Sequence, residues 1–152
     1  TIPYLHNQKP SKIKIRRSEW HKEDNFPKYV EVHGSSSSPI LIQNDPHLPI
    51  LIVESELDAI LIQQECKDLC SIIALGGASK KPSTNLHQIL LNSSLILFSL
   101  DYDTAGIKAY AWWKKQYPKL YPLPSPFEKS IGDAFLKGLN IHKWLNLEIK
   151  QL

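Results

Sequence analysis

The chain has 152 residues, of which 42% are hydrophobic and 22% charged, and a net charge of +3 at neutral pH. That length supports a domain with a real core. No run of about 18 apolar residues occurs, which excludes an ordinary membrane-spanning helix. There is no methionine, not even at position 1, so the chain is expected to be a piece of a longer protein.

The net charge hides a pattern. Residues 1–33 hold seven basic and four acidic residues, residues 49–105 three and seven, and residues 106–152 eight and three. An acidic centre between basic flanks suits a cation site beside a polyanion track, or an ordinary solvated surface; charge counting alone does not choose.

Residues 1–48 read as a short β-rich and looped N-terminal extension. They are rich in proline and contain the run Gly34-Ser35-Ser36-Ser37-Ser38. Ile13-Lys14-Ile15-Arg16 and Tyr29-Val30-Glu31-Val32 alternate as strands do. Residues 49–152 read as the main domain. Ile50–Val53 is a short buried strand. Ser55 caps a helix to about Asp68, with Asp58 as a partner at the cap and Leu57, Ile60 and Leu61 on the apolar face. Ser71–Leu75 is a second strand ending in Gly76-Gly77, and Thr84–Leu91 a helix. Leu95–Leu100 is a third strand. Thr104 caps a helix to about Tyr117, stopped by Pro118. Lys119–Leu123 is a weak fourth strand, and Asp133–Leu139 a last helix stopped by Gly138 or Asn140. The expected fold is α/β, a mainly parallel four-stranded sheet with helices on both faces.

The chemistry lies where apolar runs stop at carboxylates. Leu51-Ile52-Val53 ends in Glu54, and Ile96-Leu97-Phe98-Ser99-Leu100 ends in Asp101-Tyr102-Asp103. In open α/β sheets ligands bind beyond the carboxyl ends of the strands, so the three carboxylates are expected to meet. Residues two apart on extended backbone point the same way, so Asp101 and Asp103 can grip one cation; alternatively Asp103 only helps cap the next helix. Glu54 can be a metal ligand, a general acid/base or an exposed cap-region residue. Asp58 is a candidate to support the metal site from behind, or a simple cap. Gly76 and Gly77 can let phosphate approach main-chain N–H groups, with Lys80 and Lys81 just beyond; a plain turn serves as well. Lys108 and Lys129 belong to the basic stretch that would face phosphates. Cys66 and Cys70 read as buried thiols of a reducing cytoplasm rather than a zinc site. Of Trp112 and Trp113, one is expected in the core. The six scattered histidines receive no catalytic role.

These motifs resemble a known family. Glu54-Ser55-Glu56-Leu57-Asp58-Ala59 resembles the Glu-Gly-x-x-Asp-x motif that opens the Toprim domain. Leu100-Asp101-Tyr102-Asp103-Thr104-Ala105-Gly106 resembles its Asp-x-Asp-x-Ala-Gly motif. Lys129-Ser130-Ile131-Gly132-Asp133 resembles the Lys-Asp-x-x-Asp/Glu motif of bacterial and phage primases and primase-helicases. The resemblance spans residues 49–140. It implies a Toprim fold, Mg²⁺ or Mn²⁺ as cofactor, and nucleotidyl transfer or phosphodiester cleavage. It implies Glu54 as acid/base and Asp101, Asp103 and Asp133 as metal-site acids, with Glu54 also a possible ligand. It further implies single-stranded DNA template and nucleoside triphosphates as partners, a helicase domain or partner, a bacterial or mobile-element source and a cytoplasmic location. Ser130 stands where primases often have Asp, which removes a carboxylate from a second metal site. The alternatives are a Toprim nuclease of the overcoming-lysogenisation-defect or RNA-maturase kind, and a non-catalytic module binding nucleic acid and metal.

Overall fold

The structure is a computed structural model that describes residues 1–6, 9–21, 23–101 and 103–152. Tyr102 of the Asp-x-Asp motif and Lys22 of the basic segment lie outside the described residues. The chain forms two compact units, Thr1–Ser37 and Ser38–Leu152.

The first unit is a three-stranded antiparallel sheet in the order β1 (Ile2–His6), β2 (Lys9–Arg16), β3 (Tyr29–Glu31). Two of these strands were expected, and β1 is additional. The loop after β2 is pinned by the Trp20 indole, which donates to the Phe26 carbonyl at 2.9 Å. Arg17 lies over the Phe26 ring at 4.5 Å. The serine run is not slack: the Ser36 N–H donates to the Ser11 carbonyl at 2.8 Å, and Ser35 Oγ accepts from the Ile13 N–H at 3.1 Å.

The second unit is the α/β domain. Its sheet has the order β4 (Ile40–Gln43), β6 (Ser71–Ala74), β5 (Ile50–Val53), β7 (Ile96–Ser99), β8 (Leu120–Pro122). All neighbours are parallel except β4, which runs antiparallel to β6. The sheet therefore has five strands rather than four. The break in the chain falls after Ser37 rather than at residue 48, because β4 bonds into this sheet.

Strand alternation builds two cores from one sheet. Ile50, Ile52, Ile73 and Phe98 face α2 (Thr84–Asn92) and α3 (Thr104–Gln116). Leu51, Val53, Ile72 and Leu97 face α1 (Glu56–Cys66), α4 (Ile131–Leu136) and α5 (Ile141–Gln151). Helices thus cover both faces, as the continuous apolar strands require. Trp113 is fully buried in the first core. Cys66 and Cys70 are buried in the second, and burial pushes the Cys66 thiol up to about 12 and raises that of Cys70 too.

Several local expectations are corrected. In α1 the buried face is Ala59, Ile62 and Cys66, while Leu57 and Ile60 are exposed. Apolar residues lie all round this helix, so periodicity gave no direction, and small Ala59 marks the side that meets the sheet. Asp103, not Thr104, caps α3. The helix expected from Asp133 begins at Ile131, and a fifth helix follows it. No helix among the described residues is long and apolar enough to cross a membrane.

Candidate active site

The connections place the site. The crossover from β5 through α1 leads to β6 on one side, and that from β7 through α3 leads to β8 on the other. These two crossovers lie on opposite faces of the sheet. The gap between the carboxyl ends of β5 and β7 is therefore the switch point at which α/β sheets bind ligands. Val53 pairs with Ser99, so Glu54 and Asp101 stand one and two residues beyond the paired ends of the two central strands.

Asp101 and Asp103 converge on one lysine. The Asp103 N–H donates to the Asp101 carbonyl at 2.8 Å. Asp103 uses Oδ1 to accept from the N–H groups of Ala105 and Gly106, both at 3.0 Å. Its Oδ2 lies 3.6 Å from the Lys129 ammonium, which also meets Asp101 Oδ2 at 2.7 Å. The Gly106 and Ala105 N–H groups, with Lys129, hold the Asp103 carboxyl below its ordinary value. The hydrogen bond to Asp101 raises that of Lys129. Lys129, expected to meet phosphate, is here the counter-ion of the aspartate pair.

Glu54 is half-buried at the same place. Desolvation raises its pKa, and so does repulsion from Asp101 and Asp103. Lys129 and the Ala78 N–H offset this in part. The Gly76-Gly77 turn serves that N–H: its backbone takes φ of 76° and 152°, a path that favours glycine. The Gly76 N–H donates to the Glu54 carbonyl at 2.8 Å. The turn thus delivers a main-chain donor to the Glu54 carboxylate. Lys81 lies beyond it with its ammonium 3.7 Å from the Trp112 ring centre, and desolvation lowers its pKa. Lys80 caps the same turn through its N–H to Gly77 O, 3.1 Å, and Lys108 is exposed on α3.

Behind the pair stands Asp58, raised to about 6 by burial and then by Asp101 and Asp133, while the Gly132 N–H donates to it. A Cβ at Gly132 would collide with Asp58 Oδ1, so the carboxylate would have to shift. Asp133 is exposed in the first turn of α4. Ser130 serves as the cap of α4, where its Oγ accepts from the Asp133 N–H at 3.1 Å. The sequence did not mark Gly106 or Gly132 as close-approach positions, although both sit inside quoted motifs.

Asp58 gives a pH test. Its folded pKa lies above the unfolded 3.8, so the native state binds the extra proton between the two values. Stability from this group is full below pH 3.8 and falls as pH rises through about 6. Asp58→Asn keeps an acceptor for Gly132 and removes the charge. Urea titrations without divalent ions should find the variant more stable than wild type above pH 6 by about 1 kcal/mol, allowing for partial solvent screening. The two should be equal near pH 4. Equal stability at both pH values would show that Asp58 is not the burdened carboxylate.

The donors are hard carboxylate oxygens with surplus negative charge, the chemistry that suits Mg²⁺ or Mn²⁺. Among the described residues no three His, Cys, Asp or Glu side chains stand close enough to hold one ion. The arrangement therefore fits a cation held by the aspartate pair and completed by water and substrate phosphates, which is the usual habit of Mg²⁺.

Solved structures share this architecture. The primase fragment of the bacteriophage T7 primase-helicase protein matches at 27% identity with a TM-score of 0.53, over 66% of this chain and 43% of that one. The Aquifex aeolicus primase, comprising zinc-binding and RNA polymerase domains, matches at 21% identity with a TM-score of 0.62, over 91% of this chain and 36% of that one. The chain spans less than half the length of either. No protein-family model matches it, and no curated protein does. The fold is that of primase domains, in keeping with the Toprim resemblance of the motifs.

Proposed function

We propose that the chain is the Toprim catalytic region of a primase-like replication protein from a bacterium or mobile element. Its reaction joins nucleoside triphosphates on a single-stranded DNA template. The observation that carries this reading is the Asp101–Asp103–Lys129 cluster just beyond the ends of the two central strands, with Glu54 at the neighbouring strand end within its electrostatic reach.

Asp101 and Asp103 would hold Mg²⁺ or Mn²⁺, with Glu54 and Asp133 as further acids of the site. The bound ion would neutralise charge developing on the reacting phosphates. Glu54, whose raised pKa favours proton uptake, accepts the proton of the attacking 3′-hydroxyl. The new O3′–phosphorus bond forms as pyrophosphate leaves, and Lys129 turns from the aspartates to the departing phosphates. Positioning and electrostatics account for most of such a step. Gly76, Gly77, Lys80, Lys81 and Lys108 would border the path of the polyanion. A helicase domain or partner and a cytoplasmic setting belong to the same reading.

A Toprim nuclease is the second reading. Ser130 instead favours a non-catalytic module that binds nucleic acid and metal, because a helix cap stands where a carboxylate of a second ion site would be.

Mn²⁺ titration of this chain, followed by paramagnetic relaxation, tests the site. Asp101→Ala should remove measurable binding. Lys129→Met should tighten Mn²⁺ binding about tenfold in the absence of phosphate, because it deletes a competing cation. Unchanged Mn²⁺ affinity in Asp101→Ala would overturn the assignment.

A further inference from the structure

The acids of the site sit on different elements: Glu54 follows β5, whereas Asp103 caps α3. The segment 76–83, which leaves β6 and enters α2, touches both. Its first residue bonds back to the strand end, where the Gly76 N–H donates to the Glu54 carbonyl at 2.8 Å. Gly77 and Lys80 then close a turn, with the Lys80 N–H on the Gly77 carbonyl at 3.1 Å. Ala78 stands inside that turn, and its N–H donates to the Glu54 carboxylate.

The far end of the turn is held by side chains. The Lys81 ammonium lies 3.7 Å from the centre of the Trp112 ring on α3. A cation over a ring face is attracted by the ring's quadrupole. The ring is a fixed platform, because half-buried Trp112 meets Trp113 edge to face, 5.6 Å apart at 82°, and Trp113 is wholly buried. The Lys81 backbone is restricted as well, since Pro82 follows it and disfavours the helical region for the preceding residue. Ser83 then caps α2, its Oγ accepting from the Leu86 N–H at 3.4 Å. Ala78 is therefore bracketed, by the Gly76 bond on one side and by Lys81 on Trp112 on the other. Trp112 lies nine residues along α3 from Asp103, roughly 13 Å of helix, so the ring acts on the site through the turn and not by contact.

We infer that Lys81 and Trp112 are positioning residues for Glu54: their contact clamps the Gly77–Lys80 turn to α3 and so holds the Ala78 N–H on the carboxylate. The inference rests on the reading of Glu54 as the proton acceptor. A carboxylate with one oxygen tied to a main-chain N–H keeps one orientation, and fixed orientation is a large part of what brings a catalytic group to its reacting partner. Because the anchor is on the helix that Asp103 caps, the proton acceptor and the aspartate pair keep a set relation to each other.

The test has two readouts. In this chain the Ala78 amide proton reports its bond by NMR, and Glu54→Ala sets the position of the unbonded amide. Lys81→Ala and Trp112→Leu should move the amide toward that position. Lys81→Arg and Trp112→Phe, which keep a cation or a ring, should return it toward wild type. In the full-length parent protein Lys81→Ala should lower kcat about threefold, the scale of one exposed cation–ring contact, and leave KM for nucleoside triphosphate unchanged. Lys81 is exposed, so its truncation carries the test even where Trp112→Leu fails to fold. An amide that stays at the wild-type position in Lys81→Ala overturns the clamp, whatever the activity. A raised KM with kcat kept marks Lys81 as a phosphate contact and overturns it too. An amide that moves while kcat and KM hold shows a clamped turn beside a Glu54 that is not the proton acceptor, which removes the reading on which the inference rests.

Discussion

Gly106→Ala is expected to destabilise the α/β domain by about 3 kcal/mol, the upper range for forcing atoms into packed structure. An added Cβ would overlap the Asp101 carbonyl oxygen and stand in tight contact with its carbon at 3.3 Å. These are backbone atoms at the end of β7, so no side chain can swing aside. Helix propensity acts in the opposite direction, favouring alanine inside a helix by about 1 kcal/mol. A fall in the chemical-denaturation midpoint therefore isolates the close approach of α3 to the strand end. A midpoint equal to wild type or higher would show that the approach is not tight. Where folded protein survives, Mn²⁺ affinity should fall too, because the contact moves the residue that carries the Asp101 carboxylate.

The second large effect separates the acids. In the full-length parent protein, Asp101→Ala should abolish both Mn²⁺ binding and primer synthesis. Glu54→Gln should spare most of the metal affinity and reduce turnover by about 10²–10⁴, the contribution of a general acid/base group. Both residues lie beyond strand ends rather than in the two cores, so thermal unfolding should change little. Primer synthesis by Asp101→Ala at the wild-type rate would remove the site from these residues. DNA cleavage in place of primer synthesis, lost with the same substitutions, would select the nuclease reading.

Much of the domain was written in local pattern. Ile50–Val53, Ser71–Ala74 and Ile96–Ser99 are apolar on both sides, and only strands covered on both faces have that composition. Ser55 marked a helix start because a hydroxyl satisfies N–H groups that the first turn leaves open. The carboxylates at the strand ends stood out because charge abruptly follows apolar runs. The Toprim resemblance rested on the same residues, and the primase structures share the fold.

What the sequence could not decide were matters of direction and distance. Helix α1 is apolar all round, so the face it buries depends on the sheet it meets. The segment of β4 received no strand reading from the sequence: Ile40-Leu41-Ile42 is a short apolar run before Gln43, and its place beside β6 is a long-range pairing. Asp103 reads equally as cap or ligand; the structure shows one oxygen capping α3 and the other facing Lys129. Lys129 reads as a phosphate contact, yet chain folding brings it from 26 and 28 residues away in sequence to the aspartate pair. Gly106 and Gly132 read as small residues in motifs, and only packing reveals that a Cβ at either would strike Asp101 or Asp58. Sequence by itself determined the layers and which residue types stand at the strand ends, because periodicity, capping and residue type act over a few residues. The tertiary structure alone decided which charges meet, because that depends on strand order and close backbone approach.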